Sequence, residues 1–219
     1  SRLSGLGLLV ALWLGAWGLG RINWVEAAGP ALRVAIVQGN IDQDVKWRPN
    51  QLDETLERYI QLSLPEHGRS DVIIWPETAI PAFYQDMVPF LDVLGEKARQ
   101  DRVDYVTGIP TGSRETELFH NSVITIGQST AFYHKRRLLP FGEYLPLRWF
   151  FLFFRDWVTI PMADFAPGER NQPLLRVGGQ PVGVSICFEA VFGSDIRLDL
   201  PEATWLINVS NDAWFKDST

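Results

Sequence analysis

A stretch of 18 residues from Leu3 to Gly20 contains no charged side chain, and it limits how this chain can fold more than any other feature. As an α-helix with a rise of about 1.5 Å per residue, it would be roughly 27 Å long, close to the hydrocarbon thickness of a bilayer. Arg2 and Arg21 flank the stretch. We therefore predict a transmembrane helix and linker over residues 1–30.

Small residues lie at every fourth position of this stretch, at Gly7, Ala11 and Gly15. They would share one helical face, as in membrane helices that approach each other closely, so we expect further membrane helices in the whole protein. The alternative is a signal peptide, with Arg2 as its charged end and Val25-Glu26-Ala27 as the cleavage site.

The composition excludes several classes of protein. The chain has 219 residues, 46% of them hydrophobic, and a formal net charge of −6, which suits a folded domain and not a nucleic-acid groove. Its single cysteine, Cys187, cannot form an intrachain disulfide. The three histidines, His67, His120 and His134, lack the spacing of metal ligands. We therefore predict neither a metal site nor a cofactor.

Strands and helices alternate after Gly29-Pro30, where the composition becomes that of a soluble domain. Short apolar runs predict strands, and apolar residues with a helical period predict helices. The predicted strands are Leu32–Gln38, Val72–Trp75, Tyr105–Gly108, His120–Gly127, Thr130–Lys135, Leu174–Val177, Pro181–Cys187 and Trp205–Ser210, and the predicted helices are Pro49–Leu64 and Pro89–Gln100. This order predicts an α/β layered domain.

Cys187 ends an apolar strand and precedes residues that are compatible with a helix, in Gly183-Val-Ser-Ile-Cys187-Phe-Glu-Ala. A strand-to-helix turn exposes a side chain, and the N–H groups of the helix favour a thiolate and can hold an oxyanion. This pattern fits a nucleophile. The alternative, which is the commoner one for a lone cysteine at a strand end, is a small core residue.

Three charged residues also lie close to predicted strand ends. Glu77 follows a strand in Trp75-Pro-Glu-Thr78, where proline and apolar neighbours suit a carboxylate that acts as a base. Lys135 follows another strand, and Glu143 lies eight residues further on. Each of these residues, taken alone, is explained as well by an exposed position in a loop.

The order of these residues and the motifs around them resemble the nitrilase superfamily, and more closely the apolipoprotein N-acyltransferase family within it. The motifs are Trp75–Pro81, Lys135–Pro146, Ile186–Glu189 and Asn208–Phe215, and the resemblance extends from about residue 31 to the last residue. It implies a nitrilase-like four-layer αββα sandwich after the transmembrane helix. Because this family continues past the point that corresponds to Thr219, residues 31–219 would be a catalytic domain whose C-terminal part is missing.

The resemblance also implies a Glu-Lys-Cys triad. Cys187 would be the nucleophile, Glu77 the general base, and Lys135 the cation that supports the oxyanion. Glu143 would be the second carboxylate next to Lys135. The backbone N–H of Phe188 would be the other oxyanion donor, although its side chain lacks the hydroxyl that many family members have at this position.

The activity that this family implies is ping-pong acyl transfer. The thiol takes a fatty acyl chain from a membrane phospholipid as a thioester and passes it to the α-amino group of the diacylglyceryl-modified N-terminal cysteine of an apolipoprotein. The family also implies the bacterial inner (cytoplasmic) membrane, with the catalytic domain on the periplasmic side. The partners would be the phospholipid donor, the apolipoprotein acceptor and the membrane, with no nucleic acid and no cofactor.

Five residues are further candidates for substrate binding: Trp47, Phe188, Glu189, Trp149 and Phe150. Trp47 matches a family aromatic residue at the pocket mouth, and its alternative is a helix-entry contact beside Pro49. The segment Trp149–Trp157 contains six aromatic residues and predicts a lid at the lipid interface. The alternative for this segment is a buried loop or helix under the sandwich.

Two functions of other kinds stay open. A membrane-tethered nitrilase or amidase would pass its acyl group to water through an open, wet pocket. An inactive, membrane-anchored binding domain would keep the sandwich only as a scaffold, and the presence of Glu77, Lys135 and Cys187 argues against it. Mild alkylation of Cys187 at neutral pH would distinguish the inactive binding domain from the acyltransferase and the hydrolase.

Overall fold

The computed structural model of this chain describes residues 2–27, 29–113, 118–144 and 165–211. It divides into two compact units, residues 1–30 and residues 31–219, and the candidate site lies in the second. The predicted lid, Trp149–Trp157, lies outside the described residues, so its conformation stays a prediction.

In the first unit, helix α1 comprises Arg2–Leu19. Within the described part of the chain, no helix is both long enough and apolar enough to cross a membrane. The transmembrane helix expected over residues 1–30 stays a prediction.

The second unit contains a five-stranded sheet. Its strands are β1 (Val34–Ile36), β2 (Val72–Ile74), β3 (Asp104–Ser113), β4 (Leu118–Ile126) and β5 (Phe132–His134). They pair in the order β1-β2-β3-β4-β5, with β1, β2 and β3 parallel and β3, β4 and β5 antiparallel. The carboxyl ends of β2 and β5 carry Glu77 and Lys135, so the chain path of this sheet positions two candidate residues.

A smaller sheet consists of β6 (Leu175–Val177), β7 (Gln180–Ile186) and β8 (Trp205–Val209), in that order. Strands β6 and β7 form the predicted hairpin, in which Gly178 and Gly179 have φ angles of 59° and 77°. Among two-residue hairpin turns, type I′ needs positive φ at both positions, which glycine adopts without strain. Strand β8 pairs with β7 in parallel, so β7 is the central strand and ends at the candidate nucleophile.

The helices of this unit are α2 (Gln43–Lys46), α3 (Leu52–Ser63), α4 (Tyr84–Asp101) and α5 (Gly193–Ile196), with 3₁₀ turns at Pro49–Gln51, Leu64–Glu66, Cys187–Val191 and Arg197–Asp199. The prediction that α4 starts at Pro89 is wrong, because Pro89 lies inside the helix. Met87 and Leu91 on either side of it are buried in the core. This packing outweighs the hydrogen bond that proline cannot donate.

Alternate residues of β2 face opposite layers, as the two-residue period of a strand requires. Ile73 belongs to a cluster with buried residues of α3 and α4, whereas Val72 and Ile74 pack in a second cluster with the smaller sheet. The described residues therefore stack helices, first sheet and second sheet, as the α/β prediction expects. They do not form the second helical layer of the predicted αββα sandwich, because α5 and the turns beside it are too short to cover a sheet.

Candidate active site

Three strands end at the candidate site. Glu77 follows β2, and Lys135 and Cys187 come directly after β5 and β7. The side chains of Glu77 and Lys135 are buried, with exposed fractions of 8% and 2%, and Cys187 is half-buried. Because the two sheets pack face to face, the ends of β5 and β7 bring residues from different sheets to the same place.

The turn that carries Glu77 lies tightly against β3 at Gly108. The N–H of Gly108 donates to the carbonyl oxygen of Pro76 at 3.2 Å. A Cβ at position 108 would lie 2.2 Å from the backbone nitrogen of Thr78 and 2.7 Å from the Cα of Glu77. Glycine is therefore required for this close approach, which fixes the position of the Glu77 backbone that carries the side chain.

The carboxylates of Glu77 and Glu143 share one ammonium group. Nζ of Lys135 lies 3.3 Å from Oε1 of Glu77 and 3.0 Å from each oxygen of Glu143. The backbone N–H of Leu139 donates to Oε2 of Glu143 at 2.8 Å. The side-chain amide of Asn121 donates to both carboxylates, at 2.7 Å each. The buried charges are thus paired and hydrogen-bonded, as burial of ions requires.

Electrostatics keep Lys135 protonated. Burial alone would lower its pKa, but the charges of Glu77 and Glu143 outweigh burial, and the pKa of Lys135 is raised above its ordinary value of 10.5. A thiolate at Cys187 would act in the same direction. A permanent positive charge therefore lies close to the thiol, which is where an oxyanion would form in an acyl-transfer reaction.

Cys187 has a φ angle of 56°, in the left-handed region that non-glycine residues seldom adopt. It opens the 3₁₀ turn Cys187–Val191, and its carbonyl oxygen accepts a hydrogen bond from Nδ2 of Asn208 at 3.1 Å. The Phe188 ring lies 5.8 Å from Nζ of Lys135. The turn predicted from the sequence is therefore present, in a strained form that is common at functional sites.

The carboxylate of Glu189 is buried, and both of its oxygens accept hydrogen bonds from the protein. Oε1 accepts from the backbone N–H groups of Arg136 and Arg137 at 2.6 and 2.9 Å. Oε2 accepts from the N–H of Ile186 at 2.7 Å and from the Tyr133 hydroxyl at 3.0 Å. Burial raises its pKa. The oxygens of Glu189 therefore hold the residues next to Lys135 and Cys187, and its predicted contact with substrate stays a prediction.

Two ion pairs fasten the segment after Lys135 to the segment after Cys187. Nη2 of Arg136 lies 2.9 Å from Oδ1 of Asp199, and both side chains are buried. Nε of Arg137 lies 2.6 Å from Oδ2 of Asp195. Together with Glu189, these pairs hold the ends of β5 and β7 in a fixed relation.

Helix α2 brings an aromatic residue and an amine close to the site. Trp47 follows the helix and is 52% exposed, which suits a contact with substrate. Lys46 is buried, and its Nζ lies 3.4 Å from the carbonyl oxygen of Glu77. Burial lowers the pKa of Lys46 to about 8, and the charge of Glu77 opposes this. Trp149 and Phe150, the other aromatic candidates, lie outside the described residues.

Sequence reasoning missed Lys46, Asn121 and Asn211. The N–H of Asn211 donates to Oε2 of Glu77 at 3.1 Å. The signal for Asn121 was its position in an apolar strand, where asparagine is disfavoured unless its side chain has a polar partner. Lys46 lies in none of the named motifs, and Asn211 lies within the motif Asn208–Phe215, where nothing in the sequence marks it as a partner of Glu77.

A cavity of about 1010 Å³ is lined in part by Pro76 and Asn211, which lie next to Glu77. The rest of its lining comes from β1 and β8 with the segments after them, from the end of β2, and from Lys46 and Tyr59. Among the described residues, no group of three or more His, Cys, Asp or Glu side chains is arranged to hold a metal ion. The side chains of Glu77 and Cys187 are suited to acid–base and nucleophilic chemistry.

The carbon-nitrogen hydrolase family matches residues 33–219. The chain belongs to this family. Among curated relatives, this carbon-nitrogen hydrolase is 43% identical to the apolipoprotein N-acyltransferase of Methylococcus capsulatus, over 99% of this chain and 43% of that protein. It is 39% identical to the apolipoprotein N-acyltransferase of Nitrosomonas europaea, over 94% of this chain and 42% of that protein. The chain thus spans less than half the length of these relatives.

Solved structures share the fold of this carbon-nitrogen hydrolase. One is a mutant amidase from Nesterenkonia sp. AN1 with the acetamide moiety of fluoroacetamide added covalently at the active-site cysteine. It has a TM-score of 0.58 and 17% identity, over 82% of this chain and 64% of the amidase. Another is a CN-hydrolase superfamily protein from Xanthomonas campestris with an arsenic adduct in the active site, with a TM-score of 0.57 and 18% identity over 84% of this chain and 66% of that protein. These neighbours support the nitrilase-like fold.

Proposed function

We propose that this chain is part of an apolipoprotein N-acyltransferase and that residues 31–219 belong to its catalytic domain. The observation that carries the proposal is the cluster of Glu77, Lys135 and Glu143 next to Cys187, in a chain 43% identical to a relative of that name. The enzyme moves a fatty acyl chain from a membrane phospholipid to the α-amino group of the N-terminal diacylglyceryl-cysteine of an apolipoprotein.

In the first half-reaction, Sγ of Cys187 attacks the ester carbonyl carbon of the phospholipid while Glu77 takes the thiol proton. The oxyanion forms within reach of the ammonium of Lys135 and the N–H of Phe188. Collapse of the intermediate breaks the ester C–O bond. The leaving alkoxide takes the proton from Glu77, which releases the lysophospholipid and leaves a thioester on Cys187.

In the second half-reaction, the neutral α-amino group of the acceptor attacks the thioester carbonyl carbon. Glu77 takes a proton from the attacking nitrogen and returns it to sulfur as the C–S bond breaks. The products are the amide and the free thiol. Glu143 holds Lys135 in place through both of its oxygens, so that the ammonium serves both half-reactions.

The covalent adduct at the active-site cysteine of the Nesterenkonia amidase supports the role of Cys187 as nucleophile. The raised pKa of Lys135 supports its role as a permanent cation. We further propose that Trp47 and Phe188 line the acyl site and that Trp149 and Phe150 contact the lipid. Trp47 is exposed and follows Lys46, whose Nζ contacts the carbonyl oxygen of Glu77, and this supports the first of these assignments.

The lipid substrates also suggest where the enzyme acts. We propose that it works at the bacterial inner membrane with its catalytic domain on the periplasmic side, where acyl donor and apolipoprotein meet. The names of the curated relatives support this proposal, because a lipoprotein acceptor and a phospholipid donor are membrane-bound. Protease accessibility of residues 31–219 in intact spheroplasts tests the orientation.

Mass spectrometry of the whole protein purified from membranes tests the reaction. The expected result is a fatty-acyl adduct on the peptide that contains Cys187, which disappears when a diacylglyceryl peptide is added. The Cys187→Ala variant is the control and should carry no adduct. Acyl transfer by that variant, or an adduct on a different residue, would show that Cys187 is not the nucleophile.

A further inference from the structure

Asn121 lies in β4 at the centre of the charged cluster, with only 7% of its surface exposed. Its Nδ2 donates one hydrogen bond to Oε1 of Glu77 and one to Oε1 of Glu143, each 2.7 Å long. Its backbone carbonyl oxygen accepts from the backbone N–H of Lys135 at 2.9 Å. Asn121 therefore contacts both carboxylates through its side chain and Lys135 through its backbone.

These contacts answer an electrostatic problem. Two carboxylates lie around a single ammonium group, so in the ionised state the cluster carries more negative than positive charge. Like charges in a buried site disfavour ionisation of one member, unless donors compensate. An amide NH₂ has two N–H groups and no charge, and ionised carboxylates only accept, so the NH₂ end faces both of them.

We propose that Asn121 is a positioning residue that holds the carboxylates of Glu77 and Glu143 against Lys135 through its two N–H groups, so that Glu77 is available as the base. This inference rests on the proposed function, which assigns that role to Glu77. Lys46, another cation close to Glu77, contacts its carbonyl oxygen, so within the described residues it does not replace the two amide N–H groups.

A structural role alone would make a different prediction. If Asn121 only supported β4, its loss would reduce stability and leave the pH dependence of the site unchanged. If its N–H groups favour the charged carboxylates, their loss moves the lower-pH limb of any reaction that needs Glu77 to higher pH. The Asn121→Ala substitution separates these cases, because alanine lacks both N–H groups and adds no charge, and Asn121→Asp enlarges the shift by adding a negative charge.

The experiment measures the rate at which iodoacetamide alkylates Cys187 in the whole protein between pH 5 and 10, with the modified peptide identified by mass spectrometry. We expect the midpoint of the Asn121→Asp alkylation profile to lie at a pH about one unit higher than that of the unmodified protein. The kcat of acyl transfer should fall roughly 10- to 100-fold, and its KM should change less than about twofold. The neutral and smaller Asn121→Ala should shift the profile in the same direction by less.

The matched control is Thr125→Val on the same strand. Thr125 is buried and exchanges hydrogen bonds with Ser129 and Ala131, away from the cluster. This variant should lower the melting temperature and leave the alkylation profile unchanged. Coincident profiles for unmodified protein, Asn121→Ala and Asn121→Asp would overturn the inference. Acyl transfer by protein whose Cys187 is fully alkylated would instead overturn the proposed function.

Discussion

At the scale of single residues, Lys135 is a buried charge. Its side chain is 2% exposed and meets two carboxylates, and its backbone N–H donates to the backbone carbonyl oxygen of Asn121. The charges of Glu77 and Glu143 hold its pKa above the ordinary value, so it stays positive throughout the physiological range. A cation of this kind stabilises negative charge that develops during a reaction without a proton transfer of its own.

The substitution Lys135→Met tests this role. Methionine keeps the length of the side chain but removes the charge, so kcat should fall on the order of 10²–10³-fold through the lost stabilisation of the oxyanion. Steady-state acyl transfer by the whole protein measures the effect. The control is Lys97→Met, which removes a half-exposed lysine that pairs with Asp101 on a helix surface. A loss of less than about tenfold in kcat for Lys135→Met would assign the oxyanion to other donors.

Lys46 makes a prediction about pH and stability. Its pKa in the folded protein is about 8, against an ordinary value of 10.5. Between these pH values the unfolded chain binds more protons than the folded chain, so stability rises with pH. Relative to Lys46→Met, the free energy of unfolding should therefore gain up to about 3 kcal/mol between pH 7 and pH 10.5. Urea unfolding of both proteins at both pH values measures this difference. If the two proteins differ by the same free energy of unfolding at pH 7 and pH 10.5, the lowered pKa of Lys46 is contradicted.

At the scale of elements, Glu189 connects the ends of two strands. Its oxygens accept from the backbone after β5, at Arg136 and Arg137, and from the backbone of Ile186 at the end of β7. These strands belong to different sheets, so no ladder of strand hydrogen bonds sets the distance between them. The carboxylate supplies that link and thereby sets where Lys135 and Cys187 meet.

The substitution Glu189→Gln should loosen this link. Glutamine presents one acceptor oxygen and an NH₂ group that faces backbone N–H donors, so buried donors lose their partner at a cost of about 1–3 kcal/mol each. We expect a lower melting temperature and a lower kcat. Thermal unfolding and acyl transfer measure the two effects, and Glu202→Gln, at an exposed position, serves as the control. Unchanged kcat in a destabilised variant would limit Glu189 to a role in folding.

At the scale of the whole molecule, the site depends on two sheets that pack face to face. Strand residues of the first sheet, such as Val72 and Val106, interdigitate with residues of the second, such as Val184 and Ile207. The helices α3 and α4 cover the other face of the first sheet. Under the proposed function, a lipid tail has to reach the thiol of this domain from a bilayer. About 16 methylenes in water would cost on the order of 13 kcal/mol, so that transfer requires an apolar path.

The aromatic segment Trp149–Trp157 is the predicted path. Replacement of Phe150, Phe151, Phe153 and Phe154 by serine should slow acylation from lipid in vesicles by more than about tenfold. Attack on a small, water-soluble thioester should change little, because that substrate needs no apolar bridge. Equal losses with both substrates would show that these rings belong to the protein core.

Much of the site follows from local sequence. The sequence predicted that Glu77, Lys135 and Cys187 lie at or after strand ends, because apolar runs and turn residues mark those ends. Family membership followed from the motifs around them, and the carbon-nitrogen hydrolase match confirms it. The contacts of Glu189 with the backbone at the ends of β5 and β7 could not be predicted, because a carboxylate next to a nucleophile looks the same in sequence whether it faces substrate or the backbone.

The sequence by itself determined the order of strands and helices, the two-glycine hairpin and the identities of the charged residues, since these depend on neighbours within a few positions. Only the tertiary structure decided which of those residues meet. Asn121 contacts Glu77 across 44 positions, and Asn211 contacts it across 134. Such contacts arise from the pairing of β strands and the packing of two sheets, which bury charges only where partners from distant segments arrive together. The physical reason is that local patterns set the direction of each side chain, whereas long-range packing sets its partner.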